Sequence, residues 1–262
     1  MSPAFWLGTH QPGWLARLDV PLFASHRTLQ VRRRLPRALA PWALDSGGFT
    51  ELALHGRWQT TQGEYAEAVA RYQAEVGRLA WAAPQDWMCE PAMLARTGLS
   101  VEAHQVRTVD NYCQLRQLAP GLPFIPVVQG WDVASYLRCV DRYAAAGVDL
   151  AAVGLVGLGS VCRRQHTSQI AAVVAELAAA GLRLHGFGVK LRGLAGYAEA
   201  LASADSLAWS YAARRHPPLP GCVRHKNCAN CPRYALAWRA RVLAALDAPR
   251  QLHLPLHLDG AA

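Results

Sequence analysis

The chain has 262 residues, of which 52% are hydrophobic, and this composition excludes an intrinsically disordered protein. No apolar run approaches the roughly 18–20 residues that a membrane span needs. The N-terminus lacks a charged region followed by an apolar stretch, so we expect no secretory signal and a cytoplasmic protein. The formal net charge of +9 favours a nucleic-acid partner only weakly, since an arginine-rich proteome produces the same excess.

Strand-like apolar runs alternate with segments of helical periodicity along the chain. Strands are predicted at 3–10, 41–48, 79–87, 124–130, 149–159, 182–189 and 204–210. Helices are predicted from 61 to about 79 and at 100–118, 133–146, 168–180 and 193–202. Thr61 with Glu64 is a capping-box pair that starts the first of these helices, and Ser100 caps the second.

This alternation predicts an α/β fold with a parallel sheet and crossover helices. The number of units favours a closed TIM-type (β/α)8 barrel, and a doubly wound sheet is the alternative. We expect the barrel to occupy residues 1–215. A small C-terminal zinc-binding subdomain, comprising the zinc-binding segment and a helix packed on the barrel, is expected at 216–262.

The predicted strands end in residues that carry chemistry or permit close approach. These strand-end residues are His10, Asp45, Asp86, Gln129, Gly157 with Gly159, Gly188 and Asp205. In a barrel, the carboxyl ends of all strands meet at one rim, where the active site lies. Each residue alone has a plainer interpretation, such as a turn former or a helix cap. Their recurrence at one rim favours a functional site.

Two or three carboxylates on one rim suit chemistry at a glycosidic bond. One carboxylate can attack the anomeric carbon while another handles protons on the base. Glycines beside them leave a flat slot for a planar base. The amide of Gln129 can read a purine edge through paired donor and acceptor contacts.

A cluster of cysteines follows near the C-terminus and indicates a structural zinc site. Its predicted ligands are Cys222, His225, Cys228 and Cys231. The pair of cysteines separated by two residues is a common zinc knuckle. The fourth ligand stays open between His225 and two later histidines, His253 and His257.

Several motifs together resemble the tRNA-guanine transglycosylases. They are LDSGGFTEL (44–52), PVVQGW (126–131), VGLGS (156–160), HGFGVK (185–190), ADSLAW (204–209) and the cysteine cluster, in this order. That family consists of TIM barrels with a zinc-binding insert that replace guanine by a 7-deazaguanine through a covalent intermediate. The opening LGTHQPGWL and the motif HKNCANCPRYAL are most similar to the DpdA-type enzymes, which act on DNA.

The resemblance implies a role for each matching position. Asp205 corresponds to the nucleophile and Asp45 to the general acid/base. The base-binding set is expected to be His10, Ser46, Gly47, Asp86, Gln129, Gly130, Gly157, Gly159 and Gly188. The cysteine spacing departs from the tRNA enzymes, whose first two cysteines are separated by one residue.

The predicted partners are DNA and a free 7-deazaguanine base. No Walker-type motif is present, so an ATP-driven opening of the duplex would belong to a separate helicase-like chain. Candidate phosphate contacts are the arginines at 32–34 and 214–215. The alternatives are the same exchange on tRNA, a non-catalytic nucleic-acid-binding subunit, and a hydrolase of small nucleosides.

Overall fold

A computed structural model describes residues 2–247 and shows eight parallel strands in a single sheet. The strands are β1 (Ala4–Thr9), β2 (Leu22–Ser25), β3 (Trp42–Asp45), β4 (Leu79–Ala82), β5 (Val127–Val128), β6 (Val156–Leu158), β7 (Leu184–Gly186) and β8 (Leu201–Ser206). Strands that are adjacent in sequence pair with one another, except β4 and β5, and β8 pairs with β1. This order is that of a TIM-type barrel and confirms the predicted fold class.

The two ends of the sheet, β4 and β5, meet through the segment that precedes β5. Ala82 forms a parallel bridge with Phe124. Its backbone N–H donates to the carbonyl of Pro123 at 2.9 Å, and its carbonyl accepts from Ile125 at 3.1 Å. These bonds continue the sheet from β4 to the start of the β5 segment, so the strands enclose a common interior.

Helices cover the outer face of the sheet. They are α1 (His26–Leu29), α2 (Gly48–His55), α3 (Gln62–Glu75), α4 (Pro91–Thr97), α5 (Val101–Leu118), α6 (Val133–Ala145), α7 (Ser168–Ala179), α8 (Leu191–Tyr197), α9 (Ala208–Ala213) and α10 (Pro232–Asp247). The capping box of Thr61 and Glu64 is present at the start of α3, and the Ser100 side chain accepts from Ala103 at the start of α5. Local capping predicted from sequence is therefore confirmed.

The interior of the barrel is filled mainly by aromatic side chains. Trp6, Phe23, Ala43, Trp81 and Ile125 form a cluster separate from the larger core that joins strands to helices. Alternate residues of a strand face the same side. The last residue of β3, two positions beyond Ala43, therefore also points toward the barrel axis.

The structure corrects several strand boundaries. Strand β2 was not predicted, because its four residues are too short a run to stand out without their pairing to β1 and β3. Strand β4 ends at Ala82, so Asp86 lies in the loop that follows and not at a strand end. Only the last part of the run 149–159 is a strand, and β8 begins at Leu201, where a helix was expected.

The cysteine-rich segment lies between α9 and α10. Helix α10 packs on α8, α9 and β1, and the rings of Phe5 and Trp238 are 5.8 Å apart. Val242 on the same helix is fully buried. The division into a barrel at 1–215 and a zinc segment at 216–262 stays a prediction, and its final residues lie outside the described range. Within residues 2–247, no helix combines the length and apolarity that crossing a membrane requires.

Candidate active site

A cavity of about 250 Å³ opens at the carboxyl ends of the strands. It is lined by Phe23, Asp45, Gly48, Phe49, Ala83, Asp86, Met88, Glu90, Gly159, Ser160, Val161, Cys162, Phe187, Gly188 and Asp205. Three of the carboxylates are those that the sequence nominated, and the fold brings them together from strands β3 and β8 and from the loop after β4. The cavity therefore combines acidic groups with aromatic walls in a largely buried space.

Asp205 is placed by β8, where it pairs in register with Trp6 of β1. The residue is 6% exposed. Its Oδ1 accepts from the backbone N–H of Gly188 at 2.9 Å and lies 3.3 Å from Nε2 of His185. Gly188 has a φ of +64°, a conformation that glycine adopts without strain, and this turn aims its N–H at the carboxylate.

Asp45 ends β3 and begins the tight turn of the DSGGF motif. Its Oδ1 accepts from the backbone N–H of Gly47 at 2.9 Å. Gly47 has a φ of +84°, and a Cβ there would lie 2.8 Å from Cγ of Arg27, so the turn requires glycine. Burial raises the pKa of Asp45, and the negative charge of Asp205 adds to the rise. The environment therefore favours a protonated Asp45.

Asp86 faces the cavity from the loop after β4. The Nε2 group of Gln129 donates to its Oδ2 at 2.5 Å. Burial, followed by the charge of Asp45, raises the pKa of Asp86 to about 7. Two neighbouring carboxyl groups that each hold a proton more tightly than usual are suited to acid–base chemistry near neutral pH.

A chain of hydrogen bonds continues from Gln129 to a carboxyl group that the sequence reading missed. The Ser160 hydroxyl donates to Oε1 of Gln129 at 2.6 Å and lies 3.2 Å from Oε2 of Glu90. Glu90 is 6% exposed, and burial raises its pKa. The sequence identifies Glu90 only as the residue before the proline that starts α4, which does not indicate a place in the cavity.

Three other predicted residues have structural partners of their own. Gln129 is fully buried with both ends of its amide bonded to protein groups, and its direct contact with a purine edge stays a prediction. A Cβ on Gly159 would lie 2.2 Å from Nε2 of Gln129, and one on Gly157 would lie 2.6 Å from Cε2 of Phe187. Protein side chains therefore pack closely on both glycines, Gly159 also lines the cavity, and their contact with the base stays a prediction.

The remaining base-binding candidates lie around the cavity rather than in its wall. Ser46 is 1% exposed, and a Cβ on Gly130 would meet the backbone and ring of Tyr136. His10 contacts the side chain of Asn230 and stacks on Trp209. These contacts tie the end of β1 to the cysteine-rich segment, and a role for His10 in binding the base stays a prediction.

Side chains at the cavity mouth were also missed by the sequence reading. Phe49, at the start of α2, is 36% exposed, and the guanidinium of Arg163 lies 4.8 Å from its ring centre. Cys162, which reads from sequence as a core thiol, lines the cavity. No local pattern distinguishes these residues, because only the packing of separate loops brings them to the same opening.

The predicted metal ligands lie together. The ligand atoms of Cys222, His225, Cys228 and Cys231 all lie within 4.8 Å of one another. The sulfurs of Cys222 and Cys231 are 3.9 Å apart, and Nε2 of His225 lies 3.3 Å from the sulfur of Cys228. The other proposed fourth ligands, His253 and His257, lie outside the described residues.

A family model described as DpdA, DeoxyPurine in DNA protein A, matches residues 1–258. The chain belongs to the DpdA family. No curated protein matches it. Membership implies, in general terms, a transglycosylase that acts on DNA with a 7-deazaguanine.

The four-residue cluster of this DpdA-family chain fits a metal ion. Zinc–sulfur bonds of about 2.3 Å in a tetrahedral site place two sulfurs about 3.8 Å apart. The measured separation of Cys222 and Cys231 agrees with this value. The backbone N–H of Leu219 donates to the sulfur of Cys228 at 3.3 Å and helps to hold this sulfur in place. The cluster could therefore hold a metal ion and is compatible with zinc.

Proposed function

We propose that this DpdA-family protein exchanges guanine in DNA for a 7-deazaguanine of the preQ0 type through a covalent aspartyl–DNA intermediate. The observation that carries the proposal is the convergence of Asp205, Asp45 and Asp86 on one cavity. Glycosyl exchange that retains configuration needs one carboxylate as nucleophile and a second carboxyl group for protons. The family assignment supports DNA as the substrate.

Asp205 is the proposed nucleophile. One of its oxygens forms a bond to C1′ of the target nucleotide as the bond from C1′ to N9 of guanine breaks. The electron pair of the broken bond stays on guanine. A carboxylate held by the backbone N–H of Gly188 is oriented for this attack, and it can leave again in the second step.

Asp45 is the proposed acid and base. Burial raises its pKa and so favours the protonated form, from which it donates a proton to the departing guanine. In the second step the resulting carboxylate takes the N9 proton of the incoming base. The N9 atom then attacks C1′ and releases Asp205, so the proton and the charge return to their starting positions.

Asp86 is proposed to bind the base. The amide of Gln129 turns its carboxyl group toward the cavity, where it can accept from the N1–H and amino groups that guanine and 7-deazaguanine share. Phe23 and Phe187 line the same cavity and offer aromatic faces for stacking. The other predicted base-binding residues line the cavity or pack around its lining.

We further propose that the cysteine cluster binds one structural zinc ion. Four protein ligands close a tetrahedral site and leave no position for a reactive water. Zinc here supplies folding stability and not catalysis. The segment contacts the barrel next to the nucleophile strand, since the Ser210 hydroxyl donates to the carbonyl of Ala229 at 2.9 Å.

Purified protein, labelled guanine and plasmid DNA or tRNA would test this function. Label should enter DNA, and a preQ0-type base should release it again. A denaturing gel should show a covalent protein–DNA species. Incorporation of label into tRNA alone would contradict the proposal. Exchange that persists when the carboxylates of the cavity are removed would also contradict it. If duplex DNA reacts only with a separate helicase-like protein, single-stranded DNA should react without it.

A further inference from the structure

A buried histidine lies directly beside the proposed nucleophile. His185 is on β7, fully buried, and pairs in register with Ser203 of β8. Its Nδ1 lies 2.8 Å from the Ser203 hydroxyl, and its Nε2 lies 3.3 Å from Oδ1 of Asp205. Both ring nitrogens are therefore bound, one to each of two inward-facing residues of the same neighbouring strand.

The hydrogen bonds fix which nitrogen carries the proton. A carboxylate oxygen can only accept, so Nε2 must donate to Asp205. In the neutral ring Nδ1 then accepts, and the hydroxyl of Ser203 donates to it. Asp205 thus sets the tautomer of His185, and the hydroxyl of Ser203 satisfies the ring nitrogen that remains.

Aromatic packing prevents the ring from turning away. The ring centres of Trp81 and Phe187 lie 4.5 Å and 4.8 Å from that of His185, at steep angles of 60° and 76°. Phe23 lies at 5.9 Å. A side chain enclosed on several sides keeps one rotamer, so the direction of its N–H is set before substrate arrives.

Both donors to Asp205 bind the same oxygen. His185 Nε2 and the backbone N–H of Gly188 each contact Oδ1, and neither contacts Oδ2. A carboxylate held through one oxygen presents the other in a fixed direction. The arrangement therefore distinguishes the two oxygens of Asp205 before any bond to DNA forms.

We propose that His185 is a positioning residue that, together with Gly188, holds Oδ1 of Asp205 and leaves Oδ2 as the oxygen that attacks C1′. This inference rests on the proposed function. In the first step Oδ2 supplies the electron pair for the new bond to C1′, and guanine departs with the pair of the broken bond and a proton from Asp45. His185 keeps its Nε2 proton throughout, so it orients the carboxylate and transfers nothing.

Two substitutions separate positioning from packing. In His185→Gln, the amide nitrogen reaches the position of Nε2 and can still donate to Asp205. In His185→Asn, the shorter amide reaches only the position of Nδ1 and cannot. Val173→Ala on α7 is the packing control, because Val173 is fully buried in the larger core and does not line the cavity.

The rate of adduct formation on a DNA oligonucleotide is measured in single turnover, with the KM for DNA and the melting temperature. His185→Asn should slow the adduct by about 100-fold, as expected when a reacting group is misplaced by about 1 Å, with little change in KM. His185→Gln should recover most of the rate. Val173→Ala should lower the melting temperature and keep a rate near that of the wild type.

Crystal structures of the two histidine variants give a readout that does not depend on activity. The carboxylate of Asp205 should keep its orientation in His185→Gln and leave it in His185→Asn. An unchanged orientation of the Asp205 carboxylate in His185→Asn overturns the positioning role of His185, whether or not the wild type forms an adduct. Absence of an adduct in the wild type refutes only the proposed function. Equal rate losses in both histidine variants, in proportion to lost stability, would also overturn it.

Discussion

The side-chain amide of Gln129 donates to Oδ2 of Asp86 at 2.5 Å while its carbonyl oxygen accepts from the hydroxyl of Ser160 at 2.6 Å. The amide is fully buried, and both of its ends are bound. Its orientation is therefore fixed, with the nitrogen toward the carboxyl group. We therefore expect Gln129 to act on the base through Asp86.

Gln129→Met should weaken binding of the free base. The substitution preserves volume but removes the donor to Asp86 and the shorter of the two acceptors of the Ser160 hydroxyl, which keeps only Glu90 at 3.2 Å. Loss of buried hydrogen bonds costs about 1–3 kcal/mol, so we expect a rise in the KM for the base of about tenfold or more and a lower melting temperature. Gln62→Met is the control, because Gln62 bonds Asn111 outside the cavity. Equal effects on KM in both variants would contradict the assignment.

Asp86→Asn should change how stability depends on pH. The pKa of Asp86 is raised to about 7 in the folded chain from an ordinary value of 3.8. Between these values the folded chain holds a proton that the unfolded chain has lost, so stability falls as pH rises from about 4 to about 7. Each pKa unit corresponds to about 1.4 kcal/mol.

The asparagine variant has no such proton. Its melting temperature should fall less steeply across this range than that of the wild type, and the two curves should run parallel above about pH 8. Thermal melts at intervals of half a pH unit provide the measurement. Parallel curves over the whole range would show that Asp86 titrates normally.

Asp205→Asn should fold and bind DNA but form no covalent adduct. An amide oxygen is a poor nucleophile, so base exchange should fall on the order of 10⁴-fold. Asp45→Asn should exchange very slowly and still form some adduct, because the nucleophile remains. Denaturing gels and label release measure the two steps. Asp149→Asn is the control, since this carboxylate only caps a turn at Ala151. Wild-type exchange by Asp205→Asn would move the nucleophile to another carboxylate.

Cys228→Ser should lower both zinc content and thermal stability. Cys228 is fully buried within the cluster, and its loss opens the four-ligand site. A loss of about 2–3 kcal/mol lowers the melting temperature of a chain of this size by about 4–12 °C. Metal analysis and thermal melts check this, with Cys113→Ser on α5 as a cysteine outside the cluster. Full zinc occupancy with unchanged melting would refute the site.

The two arginine groups nominated for DNA binding lie on different segments of the barrel. Arg214 and Arg215 directly follow α9, the first helix after the nucleophile strand β8, and are exposed. The run 32–34 precedes β3, and Arg71 in the second half of α3 donates to the carbonyls of this run. The first group is therefore the nearer of the two to Asp205 along the chain.

Charge reversal of Arg214 and Arg215 should weaken DNA binding and reduce its salt dependence. Each lost phosphate contact lowers the slope of log K against log salt by about 1. Reversal of Arg32 and Arg33 changes the net charge by the same amount on another segment and serves as the control. Binding isotherms at several salt concentrations measure the DNA affinity and salt slope of the two variants. Equal losses of DNA affinity in both variants would indicate a general charge effect.

Much of the framework follows from local sequence. The capping box at Thr61 and Glu64 and the cap at Ser100 depend on residues three positions apart, so the helices they start could be predicted. Alternation of apolar runs with helical periodicity indicated the barrel, and the spacing of Cys228 and Cys231 indicated a metal site. Asp45 and Asp205 stood out because each follows or ends an apolar run.

The tertiary structure decided what depends on partners distant in the chain. Strand β2 is defined by its pairing on both sides, and Glu90 joins the cavity through Ser160, seventy residues away. His185 meets Asp205 only because β7 and β8 are neighbours in a fixed register. Raised pKa values come from burial, which no short segment produces alone. Sequence thus determined the elements and their chemical groups, whereas register and desolvation, which act across the whole barrel, determined how those groups can react.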